Sequence, residues 1–209
     1  MRCDKKDLLL YGVTDRSWLG DRTLAQQVEA SLRGGATMIQ LREKHMDRGS
    51  ILAQALELRE LCGRYGVPLI LNDDAELAQA AGADGVHVGQ SDMEAGRVRA
   101  LLGEDKLIGV SARTVEQALA AQAAGADYLG VGAMFPTGTK QDTRPVSYDT
   151  LKAICAAVDI PVVAIGGIGA GNVAELAGSG IAGVAVVSAL YAQPDVEAAT
   201  RSLRAQVER

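Results

Sequence analysis

Arg42 and Lys44 in "QLREK" follow an apolar run, and Lys140 in "PTGTK" follows another. A guanidinium grips phosphate oxygens through a fork of N–H donors, and an ammonium adds a compact point charge. Together the three suit a polyanion. Asp73 in "LILNDD" and Asp92 in "DGVHVGQSD" also close apolar runs, but their charge is wrong for phosphate. They make sense if a magnesium ion lies between carboxylate and phosphate, since magnesium takes one or two carboxylates, waters and substrate phosphate oxygens. Three cations plus a metal match a diphosphate better than a monophosphate. A second anion site is read at Gly166-Gly167 and Val187-Ser188, because glycine loops near helix N-termini offer bare N–H groups to phosphate.

The elements that must carry these residues are legible. Apolar runs at 8–13, 38–41, 69–71, 85–88, 107–110, 128–131, 162–165 and 183–187 read as strands. Amphipathic stretches at 24–33, 50–65, 115–124 and 196–207 read as helices, and the glycines after 166 are expected to lead into another. Leu52, Leu56 and Leu58 fall near one helical face, with Glu57 and Glu60 facing away. The segments "GGATMIQL", "AGADGVHV" and "AGADYLGV" each set Gly-Ala between a helix end and a strand start, where glycine supplies the left-handed cap. Eight such units argue for an α/β fold, a (β/α)8 TIM barrel, with residues 1–209 as a single domain. An open doubly wound sheet would more often hold five or six strands. In a barrel the chemistry gathers at the C-terminal ends of the strands, where every candidate above lies.

Composition narrows the partners. Hydrophobic residues make up 48% of the 209, aromatics only 3%, and the net charge is -5 without a basic block. Nucleic acid and anionic membranes are therefore not expected as partners. Cys3, Cys62 and Cys155 are scattered and lack CxxC spacing, which reads as reduced thiols in a cytoplasm. The apolar run near the N-terminus is too short for a signal sequence. The uncharged stretch 176–192 falls short of a bilayer span and is broken by glycines.

Each candidate has a plainer role to weigh. Asp74 precedes a helix and reads as its N-cap. Asp92 could equally cap the next helix. Arg42, Glu43 and Lys44 could form a solvated loop. His87, inside an apolar strand, reads first as a buried, hydrogen-bonded structural residue, and His45 as exposed. Ser111 could simply begin a turn, and Thr137-Gly138-Thr139 could be a flexible loop. "GAGNVA" at 169–174 matches a loose dinucleotide pattern without the acidic strand end that should follow, and "GTK" at 138–140 lacks P-loop spacing.

In order along nearly the whole chain, "LYGVTDR", "QLREK", "LILNDD", "DGVHVGQSD", "IGVSART", "PTGTK", "AIGGI" and "VVSAL" resemble the thiamine-phosphate synthase family. The resemblance implies a transferase that joins 4-amino-2-methyl-5-hydroxymethylpyrimidine diphosphate to a thiazole phosphate, giving thiamine phosphate and diphosphate with magnesium. It implies that Gln40, Arg42, Lys44, Asn72, Ser111 and Lys140, with Leu41 and Glu43 of the same motif, meet the pyrimidine diphosphate. Thr137, Gly138, Thr139, Gly167, Val187 and Ser188 would meet the thiazole phosphate, and Asp73 and Asp92 the magnesium. Arg42, Lys44, Ser111 and Lys140 would be the catalytic set. The reaction implied is loss of diphosphate followed by attack of the thiazole nitrogen. Thiazole tautomerases of the sister family are the competing resemblance. They tend to lose the strand-3 Asn-Asp and the acid after strand 4, and carry His where this chain has Arg113. A non-catalytic sensor of phosphate ligands would need no magnesium carboxylates. The partners expected are the two small-molecule substrates, and the sequence leaves a homo-oligomer open.

Overall fold

Side chains along β2 (Met38–Leu41) alternate: Met38 and Gln40 point into a barrel, while Ile39 and Leu41 point out to a ring of helices. The computed structural model describes residues 3–138 and 145–208 of the chain. The other strands are β1 (Leu10–Val13), β3 (Leu69–Asn72), β4 (Gly85–Val88), β5 (Leu107–Ala112), β6 (Tyr128–Val131), β7 (Val162–Ile165) and β8 (Gly183–Val186). All eight are parallel and ordered as in the sequence, and β8 pairs with β1 to close the barrel. Leu8, Tyr11, Met38, Ile70, Leu107, Tyr128, Val163 and Ala185 fill the interior. A larger cluster, including Ile39, Leu58, Leu71, Val86, Ile108, Leu129 and Leu151, lies between strands and helices. Truncating a buried Leu or Ile of either layer to Ala would cost about 2–5 kcal/mol.

β2, β4, β6 and β7 coincide with the expected runs. β1 begins later, because Asp4 caps a 3-10 turn, Lys5–Leu8, ahead of it. β3 and β5 run on to include Asn72 and Ser111, so both side chains inherit the inward direction of a strand. The helices are α1 (Leu24–Gly34), α2 (Arg48–Tyr65), α3 (Ala75–Ala81), α4 (Ala95–Leu102), α5 (Val115–Ala123), α6 (Tyr148–Ala157), α7 (Ser188–Tyr191) and α8 (Val196–Val207).

Two local expectations fail. Leu56 is 46% exposed, because the buried face of α2 is carried by Ala55, Leu58 and Cys62 at three- and four-residue spacing. After β7 the chain makes only a 3-10 turn, Val173–Leu176, instead of an α-helix. There Asn172 accepts from the Gly169 N–H at 2.9 Å and donates to the Gly167 carbonyl at 2.9 Å, holding the glycine run as a loop. Among the described residues, no helix is long and apolar enough to cross a membrane.

Candidate active site

The open cavity at the C-terminal ends of the strands is lined by Gln40, Arg42, Asn72, Ser111, Thr137, Gly167, Val187 and Ser188. These come from six different strands or the loops that follow them. His87, Arg113 and Tyr11 line it as well, with apolar wall from Val13, Val163, Ile165 and Ile168.

The floor is polar. Gln40 Nε2 donates to the Tyr11 hydroxyl at 2.6 Å, and Tyr11 and Tyr128 hydroxyls meet at 3.0 Å. His87 Nδ1 lies 3.2 Å from the Tyr128 hydroxyl, and Nε2 lies 3.0 Å from Ser111 Oγ. Burial drives both tyrosine pKa values above the ordinary range, so the phenols stay neutral. The hydrogen bonding expected for His87 is present, but the residue is only partly buried and lines the cavity.

On the β1–β4 side, charges are buttressed in pairs. The Arg42 N–H donates to Thr14 Oγ1 at 3.0 Å, and its guanidinium lies 3.8 Å from Asp15. Glu43, with its side chain only 4% exposed, pairs with Arg16 at 2.7 Å. Burial raises its pKa and Arg16 opposes the rise. Asp73 sits just past β3 with a left-handed φ of 65°, and its N–H donates to the His87 carbonyl at 2.8 Å. Burial and the adjacent Asp92 carboxylate push Asp73 up to about 6, while Asn72 and Lys44 pull it back. Two like charges in close contact are what a bound dication would relieve. Among the described residues, no cluster of three or more His, Cys, Asp or Glu side chains forms a fuller metal cage. Two adjacent carboxylates are a donor set that magnesium takes together with water and substrate oxygens.

On the β6–β8 side, the segment after β6 lies over Gly166 and Gly167. Met134 N–H donates to the Ile165 carbonyl and Phe135 N–H to the Gly166 carbonyl, each at 3.0 Å. Gly167 has φ 68°, and a Cβ there would meet the Pro136 carbonyl oxygen at 2.5 Å, so only glycine fits without a shift. Thr137 lines the cavity and Gly138 is exposed. Val187 and Ser188 open the four-residue helix α7 after β8, where barrels often bind phosphate. Thr139 and Lys140 lie outside the described residues.

Several sequence expectations change. The Leu41 side chain is in the outer core and cannot meet a cavity ligand. Glu43 is committed to Arg16 and is not a cavity-lining residue. Asp92 does not cap α4: Glu94 occupies that position, and Asp92 accepts from the Gly89 N–H at 2.6 Å instead. Asp74 does cap α3, accepting from Leu77 N–H at 2.8 Å. Lys44, Asp73 and Asp92 are exposed at the rim and do not line the cavity. Tyr11 and Tyr128 were given no role by sequence reasoning, and Arg113 was weighed only as the position where a tautomerase would carry His. The signal for the tyrosines was a phenol at an inward strand position of a chain almost free of aromatics.

The sequence profile of the thiamine monophosphate synthase family matches residues 10–190. A thiamine-phosphate synthase of Ruminiclostridium cellulolyticum is 48% identical over 199 residues, covering 95% of each chain. One from Chloroflexus aurantiacus is 50% identical over 202 residues, covering 96% of this chain and 93% of its own. The structure of a thiamine phosphate pyrophosphorylase from Pyrococcus furiosus superposes with a TM-score of 0.90 at 38% identity, covering 98% and 97% of the two chains.

Proposed function

The chain belongs to the thiamine monophosphate synthase family, and from that premise we propose how its residues divide the work. Its activity is that of a thiamine-phosphate synthase, a transferase. The substrates in this reading are an aminopyrimidine carrying a methylene diphosphate and a thiazole carrying a phosphate.

The observation that carries the reading is the Asp73–Asp92 pair at the rim beside the Arg42 side of the cavity. The two carboxylates would hold magnesium, whose charge would neutralise the diphosphate oxygens. Gln40, Asn72 and Ser111 grip the pyrimidine diphosphate from the barrel ends. Arg42, Lys44 and Lys140 take up negative charge as the carbon–oxygen bond breaks and its electron pair departs with diphosphate. Thr137, Gly138, Thr139, Gly167, Val187 and Ser188 hold the thiazole phosphate on the other side. The thiazole nitrogen then donates its lone pair to the methylene carbon. No proton leaves in forming the thiazolium, so the site needs no general base. Val13, Val163, Ile165 and Ile168 line the space with hydrocarbon and limit water that would otherwise capture the cation. The free thiols Cys3, Cys62 and Cys155 fit a reducing, cytoplasmic setting.

The test is a two-substrate assay with magnesium, following thiamine phosphate and diphosphate together. A thiazole tautomerase would change the thiazole without releasing diphosphate, and a sensor would bind without turnover.

A further inference from the structure

Gln40 and Ser111 stand on β2 and β5, yet a run of hydrogen bonds joins them through Tyr11, Tyr128 and His87. Each hydroxyl in that run carries one proton. Tyr11, 1% exposed, has Gln40 and Tyr128 as its side-chain partners among the described residues, and the fully buried Tyr128 has Tyr11 and His87. A phenol proton turned anywhere else would be a buried, unsatisfied donor. The links must therefore all run one way. Gln40 Nε2 donates to Tyr11, so Tyr11 donates to Tyr128 and Tyr128 to His87 Nδ1. A bare Nδ1 puts the imidazole proton on Nε2, which donates to Ser111 Oγ. The Ser111 proton is then free to point into the cavity, and Gln40 keeps its Oε1 as an acceptor.

We propose that His87 and Tyr128 are positioning residues that set which end of this run donates, and so make the site select an aminopyrimidine over its oxo counterpart. The proposal rests on the assignment of Gln40 and Ser111 to the pyrimidine. An aminopyrimidine offers an amine as donor and a bare ring nitrogen as acceptor. Those groups complement an acceptor at Gln40 and a donor at Ser111. The oxo form offers a carbonyl and a ring N–H in their place. Accepting it would require turning the Gln40 amide, reversing every link and moving the imidazole proton, and such linked bonds reinforce one another. Space for the run is reserved in the backbone. A Cβ at Gly109 would lie 2.2 Å from the Tyr128 ring and 2.4 Å from His87 Nδ1, and one at Gly130 would lie 2.9 Å from His87 Cε1.

Tyr128→Phe deletes the central hydroxyl and keeps the ring that fills the barrel. The measurement is kcat/KM for the 4-amino and 4-oxo pyrimidine diphosphates at saturating thiazole phosphate, for wild type and variant. The amino-over-oxo preference should fall roughly tenfold or more, since a site built to hydrogen-bond its substrate discriminates strongly. The KM for thiazole phosphate should not move. An unchanged preference overturns the proposal. Nitrogen NMR of His87 in the unaltered protein tests it without any variant in the run, with His45→Gln assigning the signals of the two histidines. A proton on Nε2 is expected, and one on Nδ1 overturns the proposal. Ser111→Ala separates the two layers of inference. If it leaves the pyrimidine KM unchanged, the site assignment and the proposal both fall. If it raises that KM while Tyr128→Phe keeps the preference, only the proposal falls.

Discussion

Asp73 is tied by its backbone N–H to the carbonyl of His87 on the neighbouring strand, at 2.8 Å. The bond holds Asp73 at the end of β3 in a left-handed conformation that Asp tolerates better than most residues. It also brings the carboxylate beside Asp92, which follows β4. A crossing backbone bond thus places two like charges together at the mouth of the barrel.

That contact should make the fold pH-sensitive when no dication is bound. The folded pKa of Asp73, about 6, lies above its ordinary value of 3.8. Stability from this group is therefore full below the ordinary value and lost as pH rises through about 6. The melting-temperature advantage of Asp73→Asn over wild type should grow from pH 4 to pH 7 in chelator, and shrink when magnesium is added. Thermal melts of both proteins across that range check it, and a constant difference would argue against the coupled pair.

Adjacent carboxylates should separate by role. Asp73→Ala and Asp92→Ala should each lower turnover by about 100-fold or more, as loss of a group that stabilises transition-state charge does. Asp74→Ala should cost about 0.5–2 kcal/mol of stability through the lost cap and leave kcat near wild type. Urea unfolding and steady-state kinetics on the three variants decide it. Loss of turnover in Asp74→Ala alone would show that the wrong carboxylate was assigned.

The two anion positions should respond independently. If Ser188 holds the thiazole phosphate as proposed, Ser188→Asp sets a negative charge beside it, and calorimetry should show weakened thiazole phosphate binding and unchanged pyrimidine diphosphate binding. Gly167→Ala should weaken the same ligand and destabilise the fold, because the added Cβ meets Pro136 at a positive φ. Equal weakening of both ligands would contradict a divided cavity.

The Arg16–Glu43 pair should act on the diphosphate side through Arg42. Glu43→Gln removes one partner of a bridge whose carboxylate is nearly buried. A double-mutant cycle with Arg16→Met should give a coupling of about 0.5–3 kcal/mol in stability. The single variant should raise KM for the pyrimidine diphosphate more than for the thiazole phosphate. A coupling of zero would mean that the bridge does not brace the strand end.

Strand positions were legible because an apolar run flanked by Gly-Ala turns has few alternatives, and strand ends followed from them. Asn72, Asp73 and Ser111 emerged in this way. Pairings between distant segments were not legible: nothing in "REK" shows that Glu43 turns to Arg16 while Arg42 lines the cavity. His87 and Tyr128 each resembled ordinary core when taken alone, and only the closed barrel puts their polar atoms in one line. The helix expected after β7 is cut to a 3-10 turn because Asn172 bonds back to the glycine loop, a competition that a helical pattern does not register.

Whether Asp73 and Asp92 carry the departure of diphosphate is decided by diphosphate release from the Asp73→Ala, Asp92→Ala double variant, measured with both substrates and magnesium alongside thiazole phosphate binding. Wild type should form thiamine phosphate and diphosphate in equal amounts. The double variant should still bind thiazole phosphate with wild-type affinity and release almost no diphosphate. Diphosphate release by the double variant at the wild-type rate would contradict that role.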